Sequence, residues 1–165
     1  MPITIPRPIL LMPKVPSLVV VGLLAAQFLV LQITHNPEPN CTLSIERPHY
    51  STSLSEIQNI DAIKLNISST CNVSQKYTQL SADIQKIQNN REITAYSFEN
   101  ERRSSTSKTP NVVTFKDLFA PCKKGPSTSY RGLAQGYVYL EGGKKVVVKG
   151  DSGKFVAAGC SIGAQ

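Results

Sequence analysis

Four cysteines and two histidines are the residues of this chain with the greatest capacity for chemistry. The cysteines are widely spaced and include no Cys-x-x-Cys pair, which argues against a zinc site or a thioredoxin-type redox motif. An even number of well-separated cysteines is typical of disulfides formed in an oxidising compartment. The sequence therefore predicts that Cys41, Cys71, Cys122 and Cys160 form two disulfides.

Four cysteines permit three connectivities, and the sequence alone leaves all three open. Strand geometry favours one of them. If segments 42–47 and 62–70 are adjacent antiparallel strands, Cys41 comes close to Cys71 and leaves Cys122 to pair with Cys160. The second bridge would then close a loop of about 37 residues and contribute about 3–4 kcal/mol by constraining the unfolded chain.

The histidines do not indicate a catalytic site. His35 lies in a polar linker, and His49 follows Pro48 between two predicted strands, where a surface or half-buried position is expected. The chain contains neither a G-x-S-x-G nucleophile elbow nor a P-loop. We therefore predict no catalytic residue, no metal site and no cofactor. Paired carboxylates can come from distant positions, so a small carboxylate-dependent hydrolase is an alternative.

The N-terminal segment has the pattern of an export signal. Residues 18–33 are mostly apolar, and Arg7 and Lys14 precede them without any acidic residue. This stretch is shorter than the roughly 20 residues that a membrane-spanning helix needs. Residues 1–34 are thus predicted to be a cleaved signal peptide or an uncleaved signal-anchor that spans the membrane at 18–33. In both cases residues 35–40 are a linker and residues 41–165 an extracytoplasmic domain, secreted or anchored.

Turn signals recur every 8–12 residues or so in the exported part, which is typical of an all-β sandwich. Segment 75–90 fits either a helix or a strand, and the flanking strands favour a strand ending in a turn at Asn89-Asn90. Segment 99–111 is polar and is predicted to be a solvated loop. Gly142-Gly143 predicts a two-residue hairpin turn between two β-rich runs. The other predicted strands are 42–45, 62–68, 93–98, 112–115 and 154–160.

These elements predict an immunoglobulin-like sandwich of about seven short antiparallel strands, preceded by the N-terminal hydrophobic helix. The chain lacks the Trp that packs against the disulfide in antibody domains. The stretch 45–52, Cys71, Cys122, the stretch 130–134 and Gly159-Cys160 together resemble small exported bacterial β-sandwich proteins of no assigned activity. The resemblance covers residues 41–160. It implies a fold and a compartment, and no catalytic residue.

The positive charge of the chain is concentrated near its C-terminal end. Residues 35–115 carry eight basic and eight acidic residues, whereas residues 116–165 carry eight basic and three acidic ones, a net charge of +5. Tyr130, Tyr137 and Tyr139 interleave with these cations and could add stacking contacts. Lysines can also protect an edge hairpin against aggregation. The residues predicted to bind an anion are Lys123, Lys124, Arg131, Lys144, Lys145 and Lys149.

This pattern predicts a non-enzymatic binding or interaction module. Outside the membrane, its anionic partners would be lipid head groups or anionic polymers of the cell envelope, and we expect no nucleic-acid partner in that compartment. The alternative from another class is the small carboxylate-dependent hydrolase, and a third is a structural envelope domain without a ligand.

Overall fold

The computed structural model describes residues 38–163. The predicted signal or signal-anchor segment 1–34, with its hydrophobic helix, and the first part of the linker lie outside these residues. Within the part of the chain that the structure describes, no helix is long and apolar enough to cross a membrane.

The described residues form nine strands and one short helix. The elements in chain order are β1 (Cys41–Ile45), β2 (His49–Tyr50), α1 (Thr52–Gln58), β3 (Ala62–Cys71), β4 (Gln75–Gln88), β5 (Arg91–Ser104), β6 (Val112–Pro121), β7 (Lys123–Leu140), β8 (Lys145–Asp151) and β9 (Val156–Ser161).

The strands build two antiparallel sheets that pack as a β-sandwich. In sheet A, β3 is central, with β6 on one side and β1 and β2 along the other. In sheet B, the order is β5-β4-β7-β8, and β9 pairs with the first part of β7. The 18-residue strand β7 therefore has β4 on one side and two successive partners, β9 and then β8, on the other.

The all-β prediction is confirmed, but the predicted strand number and lengths are wrong. There are nine strands rather than about seven, and β4, β5 and β7 are long, at 14, 14 and 18 residues. The predicted loop 99–111 is also wrong at its start, since β5 continues through Ser104. This part of β5 pairs only with β4, so it lies at an edge and needs no apolar residue of its own.

Segment 75–90 is a strand followed by a tight turn, as the sequence favours. Leu80, Ala82 and Ile84 point into the core, and the intervening side chains point outward. Asn89 and Asn90 form the turn with φ of 52° and 60°. Two positive φ values characterise the primed turns that match the twist of a hairpin, and Asn tolerates this conformation well.

The β7–β8 hairpin is confirmed, but its turn is not the predicted two-residue Gly-Gly turn. Leu140 pairs with Lys144 through the bond from the Leu140 N–H to the Lys144 carbonyl, at 2.9 Å. The loop therefore contains three residues, Glu141, Gly142 and Gly143. Only Gly143 has positive φ, at 80°, which is typical of a three-residue hairpin loop with a glycine in the left-handed region.

The core lies between the sheets. Sheet A contributes fully buried side chains such as Ile63, Leu65 and Phe115, and sheet B contributes Leu80 and Ile84. The sheets approach closely at Gly132 on β7, where an added Cβ would come within 2.5 Å of the Leu65 side chain. A larger residue at this position would thus push the two sheets apart.

Both disulfides are present, in the pairing that strand geometry favours. Cys41 and Cys71 face each other across β1 and β3, and their sulfurs bond over a sequence separation of 30 residues. The second bridge joins Cys122, just before β7, to Cys160 on β9, over 38 residues. Each disulfide therefore fixes the end of a strand pair.

Candidate anion-binding face

The six cations predicted to bind an anion do not form one surface. Lys123 and Lys124 begin β7 beside β9, Arg131 lies near the middle of β7, and the other three occupy the hairpin at its far end. The structure thus divides the set into three groups, whose members have different neighbours. The hairpin group is Lys144, Lys145 and Lys149.

Lys124 belongs to a polar cluster that crosses between the two sheets. Its Nζ lies 3.4 Å from Asp61 Oδ1, and 5.7 Å from the centroid of the Tyr50 ring. Asp61 also accepts a short hydrogen bond from the Tyr50 hydroxyl and a 3.1 Å bond from the Ser55 hydroxyl. Lys124 therefore already has an acidic partner within the protein.

The same cluster perturbs both ionisable groups. The hydrogen bond from Tyr50 is the largest cause that lowers the pKa of Asp61, ahead of Ser55 and Lys124, and it outweighs the opposing effect of partial burial. Hydrogen bonding with Tyr50, and then with Asp61, raises the pKa of Lys124. Each charged form is thus favoured by its neighbours, as in other hydrogen-bonded ion pairs.

Arg131 is also occupied by internal partners. Its guanidinium donates to Glu92 at 2.7 Å and to Gln85 at 2.8 Å, and it lies 4.9 Å from the centroid of Phe155. These contacts join β4, β5 and β7 on the outer face of sheet B. The Glu92 carboxylate neutralises the positive charge of Arg131, which the sequence predicted to bind an anionic ligand.

Tyr130 does not add a surface contact, contrary to the sequence prediction. Its ring is fully buried, its hydroxyl donates to the Cys160 carbonyl at 3.0 Å, and it accepts from the Ile162 N–H at 2.8 Å. The adjacent residues on β7 alternate, so Tyr130 points into the core and Arg131 points outward. Tyr130 is therefore a core residue that holds the segment around β9.

The hairpin cations lie on the outer face of sheet B beside a row of tyrosines. The Lys145 Nζ is 3.4 Å from the centroid of Tyr137 and 5.5 Å from that of Tyr139. Tyr139 stacks on Tyr77 with centroids 4.3 Å apart, and the Arg102 guanidinium lies 3.8 Å over Tyr77. We call Arg102, Tyr77, Tyr139, Tyr137 and Lys145 the tyrosine row. It crosses sheet B through the four neighbouring strands β5, β4, β7 and β8.

A shallow depression of about 360 Å³ lies beside the tyrosine row. Gly136 forms part of its lining, and β7 approaches β4 so closely there that an added Cβ would lie 2.2 Å from the Gln79 carbonyl oxygen. Tyr137 and Val147, which face each other across β7 and β8, border it and are 41% and 72% exposed. The depression is also lined by Gln79, Ser81, Asn100, Gln135 and Tyr139.

A second depression, of about 690 Å³, lies further along the same face. Asp83, Glu99 and Asp151 line it together with Lys149. Asp83 accepts from the Ser97 hydroxyl at 2.7 Å, and Glu99 and Asp151 are exposed.

The remaining candidate chemistry is limited. His49 is exposed, and its Nδ1 lies 3.1 Å from the Arg47 carbonyl oxygen. Among residues 38–163, no group of three His, Cys, Asp or Glu side chains is placed to hold a metal ion.

Two members of the tyrosine row, Tyr77 and Arg102, were not predicted as site residues. The predicted strand over 75–90 already puts Tyr77 and Gln79 on its outer face, opposite Leu80, Ala82 and Ile84, whereas Arg102 fell in the predicted loop 99–111.

Comparisons with known proteins add a distant structural neighbour and no family. No family model matches the chain, and no curated protein matches its sequence. Among solved structures, the chain is similar to the solution structure of a protein provisionally assigned to the late embryogenesis abundant (LEA) proteins. The TM-score is 0.37 at 9% identity, covering 86% of this chain and 84% of the other. The described residues themselves form an all-β fold with two disulfides, as the resemblance in the sequence implies.

Proposed function

We propose that this protein is a non-enzymatic, exported or membrane-anchored binding module that contacts an anionic polymer of the cell envelope. Its contact surface is the β7–β8 hairpin with Lys144, Lys145 and Lys149. One observation carries the proposal. Lys145 and Lys149 lie on the same outward side of β8, next to the exposed Tyr137, and neither forms an ion pair within the described residues.

The proposal divides the six predicted cations by their partners. Lys124 and Arg131 already have carboxylate neighbours inside the protein, so an external anion would compete with Asp61 or Glu92. The three hairpin lysines form no ion pair among the described residues, and neither does Lys123 at the start of β7. Lys149 lines the second depression together with three carboxylates, whereas Lys144 and Lys145 do not. An anionic ligand would supply the hairpin cations with a counter-charge, which favours association and speeds encounter.

Export is supported by the chemistry of the described domain and by the N-terminal sequence. Two disulfides join all four cysteines, and such bridges are rare in reducing compartments. The apolar segment 18–33 follows a positively charged start. We therefore place residues 41–165 outside the cytoplasm, tethered through 18–33 or released after cleavage, as in the small exported bacterial β-sandwich proteins that the sequence resembles.

The order of strand pairing supports the finer prediction of an immunoglobulin-like fold. Sheet A has the order β1-β3-β6, and sheet B has the order β5-β4-β7-β8. If β1, β3 and β6 are lettered A, B and E, sheet B becomes C′-C-F-G, which follows immunoglobulin-like connectivity. Modules of this architecture commonly use a sheet face or a strand-end loop for binding, and the proposed surface combines both.

The test measures binding to a simple polyanion with the full chain, purified in non-ionic detergent with its disulfides intact. Poly-L-glutamate is the probe because it presents carboxylates without any other recognisable group. The double substitution Lys145→Glu, Lys149→Glu is expected to weaken binding about tenfold or more by replacing attraction with repulsion. Raising the salt concentration from about 0.1 M to 1 M shortens the Debye length from about 10 Å to 3 Å and should weaken binding as well.

Lys116→Glu is the matched control, since Lys116 is an exposed cation on β6, which belongs to sheet A and not to the sheet of the hairpin. It should change binding much less than the hairpin substitutions. Absence of binding, or binding that does not depend on salt, would contradict the proposal and favour a structural envelope domain without a ligand. Binding to vesicles of anionic phospholipid but not to the polymer would assign the surface to head groups instead.

The carboxylate-dependent hydrolase is the second candidate, and the three acids of the second depression favour it. Asp83 and Asp151 lie on opposite sides of β7, each paired with Leu133, so two strand spacings of about 4.8 Å separate their backbones. Inverting glycosidases use two carboxyl groups that are about 6.5–9.5 Å apart. Hydrolysis of a polysaccharide that is lost in both Asp83→Asn and Asp151→Asn would establish this activity.

A further inference from the structure

The depression beside the tyrosine row carries groups that a simple polyanion would not use. Its border combines an exposed aromatic ring, an exposed aliphatic side chain and several neutral amides. Large exposed apolar residues are few in the described residues, and Tyr137 and Val147 are two of them, directly opposite each other on β7 and β8. Neither side chain contributes to the core, so their proximity at one surface calls for a ligand with an apolar face.

The neutral amides of this depression have no hydrogen-bond partner among residues 38–163. No hydrogen bond among the described residues uses the side chains of Gln79, Asn100 or Gln135, although all three line the depression. An amide both donates and accepts, so it matches a hydroxyl group better than it matches an anion. Three such side chains around one concave surface indicate a ligand with several hydroxyls.

The tyrosine row limits where that ligand can lie. Tyr77 has Arg102 on one face and Tyr139 on the other, so its faces are covered. Tyr137 is the last ring of the row, and Lys145 lies over one of its faces, 3.4 Å from the centroid. The Tyr137 side chain is nevertheless 41% exposed and borders the depression with Val147. Tyr77 and Tyr139 therefore act as a support, while Tyr137 and Val147 offer the apolar contact.

The cations complete the chemical description. Lys145 and Lys149 precede and follow Val147 by two residues on the same side of β8, and so they flank the apolar contact. A ligand seated on Tyr137 and Val147 would bring an acidic substituent near one of these ammonium groups. The neighbouring depression, with its three acids, shares Ser81 and Gln135 with this one, and Glu99 accepts from the Ser81 hydroxyl at 3.5 Å. An anionic substituent is therefore favoured at the end of the tyrosine row, near Lys145.

From these groups we infer that the depression binds an acidic glycan: a sugar ring lies on Tyr137 and Val147, its hydroxyls bond to Gln79 and Gln135, and its carboxylate contacts Lys145 or Lys149. The inference rests on the proposed binding of an anionic polymer and names its chemical class. A combination of apolar ring faces, hydroxyls and a carboxylate is characteristic of polymers of uronic acids. Aromatic and amide side chains at one concave surface are the usual composition of a specific binding site.

The experiment compares three polymers on the same full-length protein in non-ionic detergent. Polygalacturonate carries rings, hydroxyls and carboxylates; poly-L-glutamate carries carboxylates only; dextran carries rings and hydroxyls only. By calorimetry, we expect polygalacturonate to bind at least about tenfold more tightly per site than poly-L-glutamate at equal ionic strength, and dextran to bind more weakly than both.

Substitutions then separate the ring from the charge. Tyr137→Ala is expected to weaken polygalacturonate about tenfold and to leave poly-L-glutamate unchanged, whereas Tyr137→Phe keeps the ring and should retain most of the binding. Ile57→Ala is the matched control, because Ile57 is an exposed apolar residue on α1, outside the lining of the depression. Gln135→Ala, a surface change, tests the amide contact should Tyr137→Ala fail to fold.

The outcomes distinguish this inference from the function on which it rests. Equal affinity for polygalacturonate and poly-L-glutamate, with no effect of Tyr137→Ala, would overturn the glycan assignment and leave electrostatic binding intact. Absence of binding to either polyanion would overturn both. Tight binding of dextran would overturn the requirement for an acidic group.

Discussion

The two halves of β7 use the same residue types for opposite purposes. In the first half, Tyr130 is buried and hydrogen-bonded to the segment around β9, and Lys124 is paired with Asp61. In the second half, Tyr137 is exposed and Lys145 lies over its ring with no carboxylate partner among the described residues. Residue type therefore does not separate the buried or ion-paired groups from the exposed groups without a carboxylate partner in this part of sheet B. The two groups differ in their position relative to the core and to neighbouring acidic side chains.

The largest difference is expected between the two tyrosines. Tyr130→Ala removes a fully buried ring and two hydrogen bonds, and we expect it to lower the free energy of unfolding by about 3–5 kcal/mol. Tyr137→Ala removes an exposed ring and its cation–π contact, with an expected loss of less than about 1 kcal/mol. Urea denaturation of both variants measures the contrast. Similar losses would show that the halves of β7 do not differ in this way.

Removal of the second disulfide should weaken the first half of β7 and spare the binding half. Replacing Cys122 and Cys160 by Ala is expected to cost about 3–4 kcal/mol, because the bridge closes a long loop in the unfolded chain. At a temperature where this variant is still folded, its affinity for poly-L-glutamate should equal that of the parent. Loss of affinity by the folded variant would mean that the hairpin depends on the bridge.

The smallest expected effect concerns the Asp61–Lys124 pair. Because the pKa of Asp61 is lowered in the fold, its stabilising contribution is complete above the ordinary pKa of 3.8 and is lost as pH falls through the lower folded value. The pKa of Lys124 is raised in the fold, so its stabilising contribution is complete below the ordinary pKa of 10.5 and is lost as pH rises through the higher folded value. Melting temperatures at several pH values are the measurement.

Asp61→Asn should remove part of the loss of stability at acidic pH. The difference in melting temperature between the variant and the parent should therefore shrink below pH 3.8. Glu141→Gln, in the exposed hairpin loop, is the control and should leave the dependence unchanged. A parent and an Asp61→Asn variant that lose stability in parallel through this range would contradict the role of the pair.

The sequence predicts the elements whose apolar pattern faces the core. Ile63, Leu65 and Ile67 alternate with polar residues on β3, and the hairpin of β7 and β8 has β-rich runs around a glycine turn. The polar end of β5 escaped prediction because an edge strand can be held by its backbone bonds and its ion pairs. There Arg103 bonds to Asp117 on β6 at 2.6 Å, a contact between sheets that no local pattern indicates.

The candidate site is predictable only in part for the same reason. Lys145 and Lys149 could be identified from composition, and their spacing of four residues in a strand places them on one side. The partners of Lys124 and Arg131 come from β4, β5 and the segment before β3, so only the assembled sheets reveal that these charges are neutralised. The stacking of Tyr77 on Tyr139 likewise depends on the register between β4 and β7.

The central position of β7 also determines when sheet B can be completed during synthesis of the chain. The hairpin of β4 and β5 is local and can form as soon as residue 104 has been made, but the other edge of β4 waits for β7, more than twenty residues later. Until then an unpaired strand with Leu80 and Ile84 on its apolar side is open to other chains. A nascent or truncated chain ending after β6 is therefore expected to aggregate, and release from the ribosome or passage through a translocon should be followed by rapid closure around β7.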